Sequence, residues 1–365
     1  MYSSPKNSMK YFYLTHIVLF IIVLVIGYIL FADIIKKWMK KTDIFDMEDE
    51  NGVPTVTFPF KNLFDDNGKK INIILLAAPF RTKEDEEKYE LYKKKGLSFC
   101  GISSYLNFPG KIDNPYEDRF HEERNHDYPK MCSAWLHCFR EPPENLKKSG
   151  LPLLLLAESD LKDSQAYKPN PEIKKEYDFI YVCLKDNDKC EPGWQSYNRN
   201  WDLAKKCLVT MCRDHDLKGI IVGRENCEYT DLCSGIVKVL PFLPFDEFQR
   251  ELQKCRFIFV PNIADASPRV ITEALCYDIP AVVNYNILGG WNNIVPGVTG
   301  EFFTNENDIS PALESLTDYY SKYTPREWFL QNRGKEISGE ILAKFLIEHF
   351  PNINNKNMKY ATITI

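Results

Sequence analysis

Strands and helices alternate regularly through the second half of the chain, and this alternation constrains the fold more than any other feature. The predicted elements are strand 178–184, helix 201–213, strands 219–223 and 236–240, helix 245–254, strand 256–260, a helix that opens at Ser267 and strand 281–283. Such alternation predicts a parallel, doubly wound sheet. Ligands bind at the carboxyl ends of the strands in these sheets. The residues expected at that edge are Asp265, Ser267, Gly223, Arg224 and Gly289-Gly290.

The segment 265–290 carries most of the functional argument. Two carboxylates, Asp265 and Glu273, stand eight positions apart on either side of a Ser-Pro pair. Ser267 is a good N-cap and Pro268 suits the first helical position, so we predict a helix that begins here. A helix N-terminus favours anions because its first N–H groups lack acceptors and its dipole is positive there. The segment therefore suits either a phosphate site or an ordinary helix-to-strand step.

The N-terminal region predicts a membrane anchor. Residues 11–32 are almost wholly apolar, and Thr15 and His16 are the polar interruptions. This length matches the ~20 residues that a bilayer requires, and no small-residue cleavage site follows. Lysines are more frequent after the span than before it, which favours a cytosolic C-terminal part. The chain contains no Asn-x-Ser/Thr acceptor for N-glycosylation, which also favours the cytosol. A Golgi or ER lumenal placement stays open.

Length and composition give the domain layout. At 365 residues the chain is long enough for two domains. We predict a tail at 1–10, an anchor at 11–32, a stem at 33–69, a first α/β domain at 70–170, a second α/β domain at 171–322 and C-terminal helices at 323–365. The net charge of −5 argues against a nucleic-acid partner. Strands are expected at 70–78 and 151–157, the latter in a central position.

Cysteines and acidic patterns are the features of the chain that could form disulfides or metal sites. The eleven cysteines follow no zinc-like spacing, and we interpret them as reduced thiols. Two Asp-x-Asp patterns, 186–188 and 214–216, are compatible with a metal-dependent enzyme, but they lie in a polar loop and near a helix end. The His- and acid-rich stretch 113–127 has no helical register and is interpreted as a solvated loop or acceptor surface. We therefore expect no metal site.

The order of these elements resembles the nucleotide-sugar half of retaining GT-B glycosyltransferases, specifically glycosyltransferase family 4. The matching pieces are Ile220-Ile-Val-Gly-Arg224, Val237-Lys-Val-Leu-Pro-Phe242, 245–252, Phe257-Ile-Phe-Val-Pro-Asn262, Asp265 to Glu273, Asp278-Ile-Pro-Ala-Val-Val283, Gly289-Gly290 and Gly300-Glu-Phe-Phe303. The resemblance covers about residues 177–305. It implies an α/β fold of the GT-B type with two Rossmann-like domains, which would follow the predicted transmembrane helix. The acceptor-side domain would be 70–170 and the nucleotide-sugar-binding domain 171–322, and the C-terminal helices at 323–365 would pack back on the first domain.

The resemblance also implies roles for individual residues. Glu273 would bind the ribose hydroxyls, and Asp265 stands where the family has a Glu directed at the donor sugar. The N–H groups around Arg269 and Val270 would face the diphosphate, with Ser267 beside them. Arg199 matches one member of the family's basic pair for the leaving diphosphate, and the other would be Lys185 or Lys189. Donor transfer in this family is usually metal-independent and needs no cofactor beyond the donor substrate.

The first half departs from the family pattern. It is short, and Ala77-Ala-Pro-Phe80 stands where a Gly-rich loop is expected. His137 lies in an apolar run, where a lone His is usually a core residue, yet it is the best candidate there for a catalytic polar contact.

The sequence thus predicts a membrane-anchored glycosyltransferase that moves a sugar, with retention, to a glycan, lipid or protein acceptor. The alternative is a catalytically inactive nucleotide-sugar-binding or scaffolding module at a membrane.

Overall fold

The computed structural model describes residues 27–28, 31–32, 48–50, 52–110 and 126–363. Most of the predicted anchor and stem therefore lies outside the described residues. Within the described ranges, no helix has the length and apolar character needed to span a bilayer. The chain divides into two compact units, Met1–Thr55 and Val56–Ile365. In the first unit Glu48 and Pro54 form an antiparallel bridge.

The second unit contains both sheets and the helices around them. Its strands are β1 (Phe60–Asp65), β2 (Lys70–Leu76), β3 (Ser98–Ile102), β4 (Ala134–His137), β5 (Leu153–Leu155), β6 (Tyr177–Val182), β7 (Gly219–Val222), β8 (Val237–Leu240), β9 (Cys255–Val260), β10 (Ala281–Asn284), β11 (Gly300–Phe303) and β12 (Ala361–Ile363). Its α-helices are α1 (Lys83–Lys94), α2 (Glu144–Lys147), α3 (Trp194–Asn198), α4 (Trp201–Arg213), α5 (Phe245–Gln253), α6 (Arg269–Cys276), α7 (Ser310–Asp318), α8 (Pro325–Asn332) and α9 (Gly334–His349).

The first sheet has the strand order β12-β1-β2-β3-β4-β5. Strands β2 to β5 are parallel, whereas β1 pairs antiparallel with both β2 and β12. Strand β1 lies within the region predicted as stem. The signal that marks it is Asn67-Gly68, a typical hairpin turn, with Gly68 at a φ of 74°. Strand β5 is at an edge, so the expected central position of 151–157 is wrong, and Leu155 is 39% exposed there.

The second sheet is entirely parallel, with the strand order β11-β10-β9-β6-β7-β8. From β6 the chain builds outward through β7 and β8, then returns to the other side of β6 and continues through β9, β10 and β11. The strand order thus reverses between β6 and β9, which is where ligands bind in doubly wound sheets. The predicted alternation is confirmed, and helix α4 has the predicted bounds. We call this half the second domain.

Apolar side chains cover both faces of the second sheet. In β6, Phe179 and Tyr181 point into one core cluster and Ile180 points into the other, as strand periodicity requires. The C-terminal helix α9 belongs to the other half of the molecule, since Leu342 and Leu346 join the core beneath the first sheet. We call the first sheet with α9 and β12 the first domain.

Two disulfides correct the expectation that all the cysteines are reduced. Cys190 pairs with Cys227 and Cys212 pairs with Cys233, with Cα atoms 5.7 and 5.4 Å apart. The remaining seven cysteines are free and buried. The spacing along the chain gave no indication of these pairs because each joins segments that are distant in sequence. Cys212 lies in the last turn of α4, for example, and the fold places it against the short helix Asp231–Cys233.

Candidate functional site

A cavity of about 610 Å³ opens at the point where the strand order of the second sheet reverses. Val182 and Val222, the last residues of β6 and β7, form part of its floor. The start of helix α6 forms another wall. The residues that line this central cavity are Lys162, Tyr167, Val182, Arg199, Val222, Phe242, Leu243, Phe245, Phe248, Asp265, Ser267, Arg269, Val270 and Glu273. Its volume lies within the range typical of small-molecule sites.

Helix α6 begins one residue later than the sequence predicted. Its N-cap is Pro268, and no side chain caps it. The predicted N-cap role of Ser267 is therefore wrong. The Ser267 hydroxyl instead accepts a hydrogen bond of 2.9 Å from the Ser159 N–H of the first domain. The Ile271 N–H donates to the Pro268 carbonyl at 3.1 Å, whereas Arg269 and Val270, whose N–H groups come before any intrahelical acceptor, line the cavity.

The Gly289-Gly290 pair packs beneath this segment. A side chain at Gly289 would overlap the Ala266 carbonyl, and one at Gly290 would overlap the Pro268 ring. The Gly289 N–H also donates to the Asp265 carbonyl at 2.9 Å. The two glycines do not line the cavity but allow the chain that carries Asp265 to lie close to the next loop.

Arg199 and Asp265, both predicted donor-site residues, form an ion pair at the cavity wall. The Asp265 carboxylate also accepts from the Asn262 amide at 3.2 Å and from the Ser267 N–H at 3.2 Å. Burial lowers the pKa of the Arg199 guanidinium and the Asp265 carboxylate raises it, with a net increase. The ion pair therefore keeps the guanidinium beside a carboxylate that offsets its charge.

Glu273 lies at the other end of the cavity and is paired with Lys162. The Lys162 ammonium is 2.9 Å from Glu273 Oε1 and 3.2 Å from the Tyr167 hydroxyl. Gln249 donates to the second carboxylate oxygen at 3.4 Å. Lys162 follows the 3-10 helix Glu158–Leu161 of the first domain, at the carboxyl edge of the first sheet. The sequence analysis missed Lys162 because the pair joins positions that are 111 residues apart.

Aromatic side chains surround the mouth of the cavity. Phe242 is 69% exposed and Phe245 is 55% exposed, both unusually high for phenylalanine. Tyr167 meets the edge of Phe245 with ring centroids 6.0 Å apart. The cavity therefore combines a charged interior with an apolar rim, as expected for a ligand that has a flat ring at one end and charges at the other.

Arg224 and Gly223 were predicted to bind the donor, but neither lines the cavity. The Arg224 side chain is fully buried and donates to Cys183 Sγ and, at 2.7 Å, to the Ser196 hydroxyl. Its guanidinium also lies 4.9 Å from the Trp201 ring. Gly223 adopts a φ of 92°, and a side chain there would overlap Leu184. Both residues shape the turn after β7.

Lys185 and His137 also lie outside the lining of the cavity. Lys185 forms ion pairs with Glu225 at 3.0 Å and Asp188 at 3.3 Å. His137 ends β4, is 8% exposed and stacks on Phe139. Burial lowers the pKa of its imidazole. Among the described residues no partner reaches its Nδ1. The predicted catalytic contact from His137 is therefore not part of the cavity in this arrangement.

The candidate metal motifs are occupied by protein partners. Asp186 accepts from the Gln195 N–H at 2.6 Å and the Ser196 N–H at 3.0 Å, which caps helix α3. Asp214 pairs with Arg213 at 2.6 Å. Most of the acidic stretch 113–127 lies outside the described residues. In the part of the chain that the structure describes, no group of three or more His, Cys, Asp and Glu side chains could hold a metal ion.

Comparisons with known proteins bear on the fold. No known family's sequence profile matches the chain, and no curated protein does. Among solved structures, Anabaena HepE in complex with UDP is 12% identical over 75% of this chain and 78% of its own, with a TM-score of 0.53. A glycosyltransferase from Rickettsia africae is 13% identical over 77% of both chains, with a TM-score of 0.51. Sucrose-phosphate synthase from Thermosynechococcus elongatus is 9% identical over 73% and 72%, with a TM-score of 0.51.

These structural neighbours are GT-B glycosyltransferases. The two parallel-rich sheets described above fit the same two-domain arrangement. The chain therefore has the GT-B fold, as the sequence predicted. At identities of 9 to 13% the likeness defines the fold alone.

Proposed function

We propose that this chain is a glycosyltransferase that binds a nucleotide diphosphate sugar in the central cavity. One observation carries the proposal. Asp265 and Glu273, eight positions apart in sequence, line a single cavity of about 610 Å³ at the switch point of the second sheet, with the start of helix α6 between them. A neighbour of the same fold, Anabaena HepE, was solved in complex with UDP-glucose.

The roles follow from the charges along the cavity. Glu273 accepts two hydrogen bonds from the ribose diol, because a carboxylate suits a pair of adjacent hydroxyl donors. The first N–H groups of α6, at Arg269 and Val270, hold the diphosphate. Asp265 meets hydroxyls of the donor sugar, and Arg199 turns from Asp265 to the phosphates when the donor enters.

Catalysis in this proposal rests on stabilising the leaving group. The bond between the anomeric carbon and the phosphate oxygen breaks, and negative charge develops on the nucleotide diphosphate. Arg199 and the N-terminus of α6 offset that charge without a metal ion, since preorganised donors are most effective where charge develops. The oxygen of an acceptor hydroxyl, on a glycan, lipid or protein, forms the new bond to the anomeric carbon, and its proton passes to the departing diphosphate. The configuration is retained, as in glycosyltransferase family 4.

The apolar segment 11–32 anchors the enzyme in a membrane in this proposal. The two disulfides of the second domain favour the lumenal orientation over the cytosolic one that the lysine distribution suggested. Disulfides persist in oxidising compartments such as the ER lumen and are rare in the cytosol. The lysine distribution is weaker evidence, because charges that flank a membrane span only bias the direction in which the span inserts.

A second candidate function is a catalytically inactive nucleotide-sugar-binding module. The Arg199–Asp265 ion pair favours it, since it engages the two groups assigned to catalysis.

A donor screen tests both functions. The full chain, purified in detergent, is titrated with UDP, GDP and ADP and then incubated with radiolabelled sugars of each nucleotide. We expect micromolar binding of one nucleotide and slow hydrolysis of its sugar. Binding without turnover of any donor supports the inactive module. If none of the nucleotides binds, both proposals are wrong.

A further inference from the structure

We propose that Lys162 is a positioning residue for the nucleotide: its ammonium fixes the Glu273 carboxylate and so makes the first domain part of the nucleotide site. The inference rests on the proposed function. It starts from the observation that the residue expected to bind ribose already has a cationic partner, at 2.9 Å, from the opposite domain.

The geometry leaves Glu273 able to accept a ligand. A carboxylate offers about four acceptor positions. Lys162 uses one on Oε1, and the 3.4 Å contact from Gln249 is a long one on Oε2. The remaining positions suffice for two hydroxyl donors. The Lys162 contact therefore orients the carboxylate without blocking it.

Burial makes the ammonium necessary. The side chains of Lys162 and Glu273 are 8% and 11% exposed, so neither charge is well solvated. A buried carboxylate that loses its counter-ion is strongly destabilised and moves or becomes protonated. In either case it no longer accepts two hydrogen bonds from a diol. Lys162 thus preserves both the charge and the orientation on which recognition of ribose depends.

The segment that carries Lys162 belongs to the first domain and is packed on several sides. The preceding 3-10 helix, Glu158–Leu161, packs against α9, β12 and α6. The Lys162 carbonyl accepts from the Lys335 N–H at 3.1 Å, and its ammonium bonds to the Tyr167 hydroxyl. Any movement of the two domains apart would withdraw the ammonium from Glu273. The nucleotide site is consequently complete when the domains are together.

The chain contains a matched control for the test. Lys61 forms an ion pair of 2.5 Å with Glu158, at the start of the same 3-10 helix. That carboxylate is also buried, with 8% of its side chain exposed. Neither Lys61 nor Glu158 lines the central cavity. Lys61→Met therefore removes a comparable ion pair from the same support without touching the nucleotide site.

The experiment compares ribose recognition in variants of the full chain. Affinity is measured by calorimetry for the tightest binder among UDP, GDP and ADP, and for its 2′-deoxy and 3′-deoxy analogues. In the wild type, loss of one hydroxyl should weaken binding about 10- to 100-fold, the range for a hydrogen bond to a charged group. In Lys162→Met the ratio should fall to about threefold or less, whereas Lys61→Met should keep the wild-type ratio.

The outcomes distinguish positioning from stability and from the proposed function. Thermal unfolding confirms that each variant is folded, and Lys162→Gln replaces Lys162→Met if the latter is not. A folded Lys162 variant that discriminates between the ribose and deoxyribose nucleotides as well as the wild type overturns the inference and leaves the proposed function intact. A Lys61→Met variant that loses the same discrimination also overturns it. The loss would then come from a general disturbance of the 3-10 helix that precedes Lys162, and not from the contact with Glu273. Failure of the wild type to bind any nucleotide refutes both.

Discussion

At the residue scale, the two carboxylates of the cavity differ in their partners. Glu273 is held by an ammonium from the first domain, whereas Asp265 is held by Arg199 from its own domain. The Arg199 guanidinium, which is suited to bidentate contact with phosphate, is therefore engaged by the neighbouring carboxylate. Under the proposed function, donor binding exchanges that carboxylate for the diphosphate, so the strength of the pair would set part of the affinity.

Replacement of Asp265 tests this exchange. Asp265→Asn frees Arg199 for the diphosphate. If UDP is the nucleotide that the donor screen selects, calorimetry should show UDP binding about three- to tenfold tighter, consistent with a gained charge-assisted hydrogen bond. Sugar transfer or donor hydrolysis should fall about 100-fold, because the donor sugar loses its acceptor. The control is Asp202→Asn in helix α4, where the carboxylate pairs with Lys205 on the surface. Weaker UDP binding in Asp265→Asn than in the control would contradict the proposed exchange.

At the element scale, the Gly289-Gly290 pair explains why the segment that carries Asp265 and the start of α6 can lie close to the next loop. Gly290 adopts a φ of 74°, and the space beside its Cα is filled by the Pro268 ring at the start of α6. Gly235 has nearly the same φ, 75°, but faces open space. Substitutions at these two positions can therefore be compared to separate the cost of backbone strain from the cost of crowding against Pro268.

Alanine substitution at these two glycines should have different results. Gly235→Ala should cost about 1 kcal/mol of unfolding free energy from left-handed strain alone. Gly290→Ala should cost at least about 1 kcal/mol more, since Pro268 must move, as in overpacked cores. It should also weaken UDP binding because the start of α6 shifts. Urea unfolding and calorimetry measure both effects, and equal losses of stability with unchanged UDP binding would show that Gly290 does not position α6.

The sequence predicted those elements whose signals are local. The bounds of helix α4 were predicted correctly, because an amphipathic pattern marks the extent of the helix and a turn follows it. Strand β1 was missed because its charged neighbours resembled a linker, although Asn67-Gly68 marked the hairpin. The N-cap of α6 was wrong for a different reason. Ser267 satisfies the usual preference, but a hydrogen bond from Ser159 in the other domain directs its hydroxyl elsewhere.

At the scale of the whole molecule, the site depends on contacts between the two domains that no local pattern reveals. Lys162 reaches Glu273, Ser159 reaches Ser267, and the Trp291 indole donates to the Cys138 carbonyl at 2.8 Å. Each contact joins positions more than 100 residues apart. The residues of the second domain could be proposed from motif order, whereas the contribution of the first domain required the folded chain. Arg224 is a case in which motif order was misleading. Its position in the motif suggested ligand binding, but its side chain is fully buried in the core.

The disulfides give a prediction about the environment of the whole molecule. Cys190–Cys227 and Cys212–Cys233 both lie in the second domain, and seven other cysteines are free. If this domain faces an oxidising compartment, protein extracted from cells, denatured and treated with a maleimide polymer should gain seven adducts, and eleven after reduction. Protease added to intact microsomes should leave the second domain undigested. Eleven adducts without reduction, together with digestion of the domain, would place it in the cytosol, because disulfides are rarely maintained there.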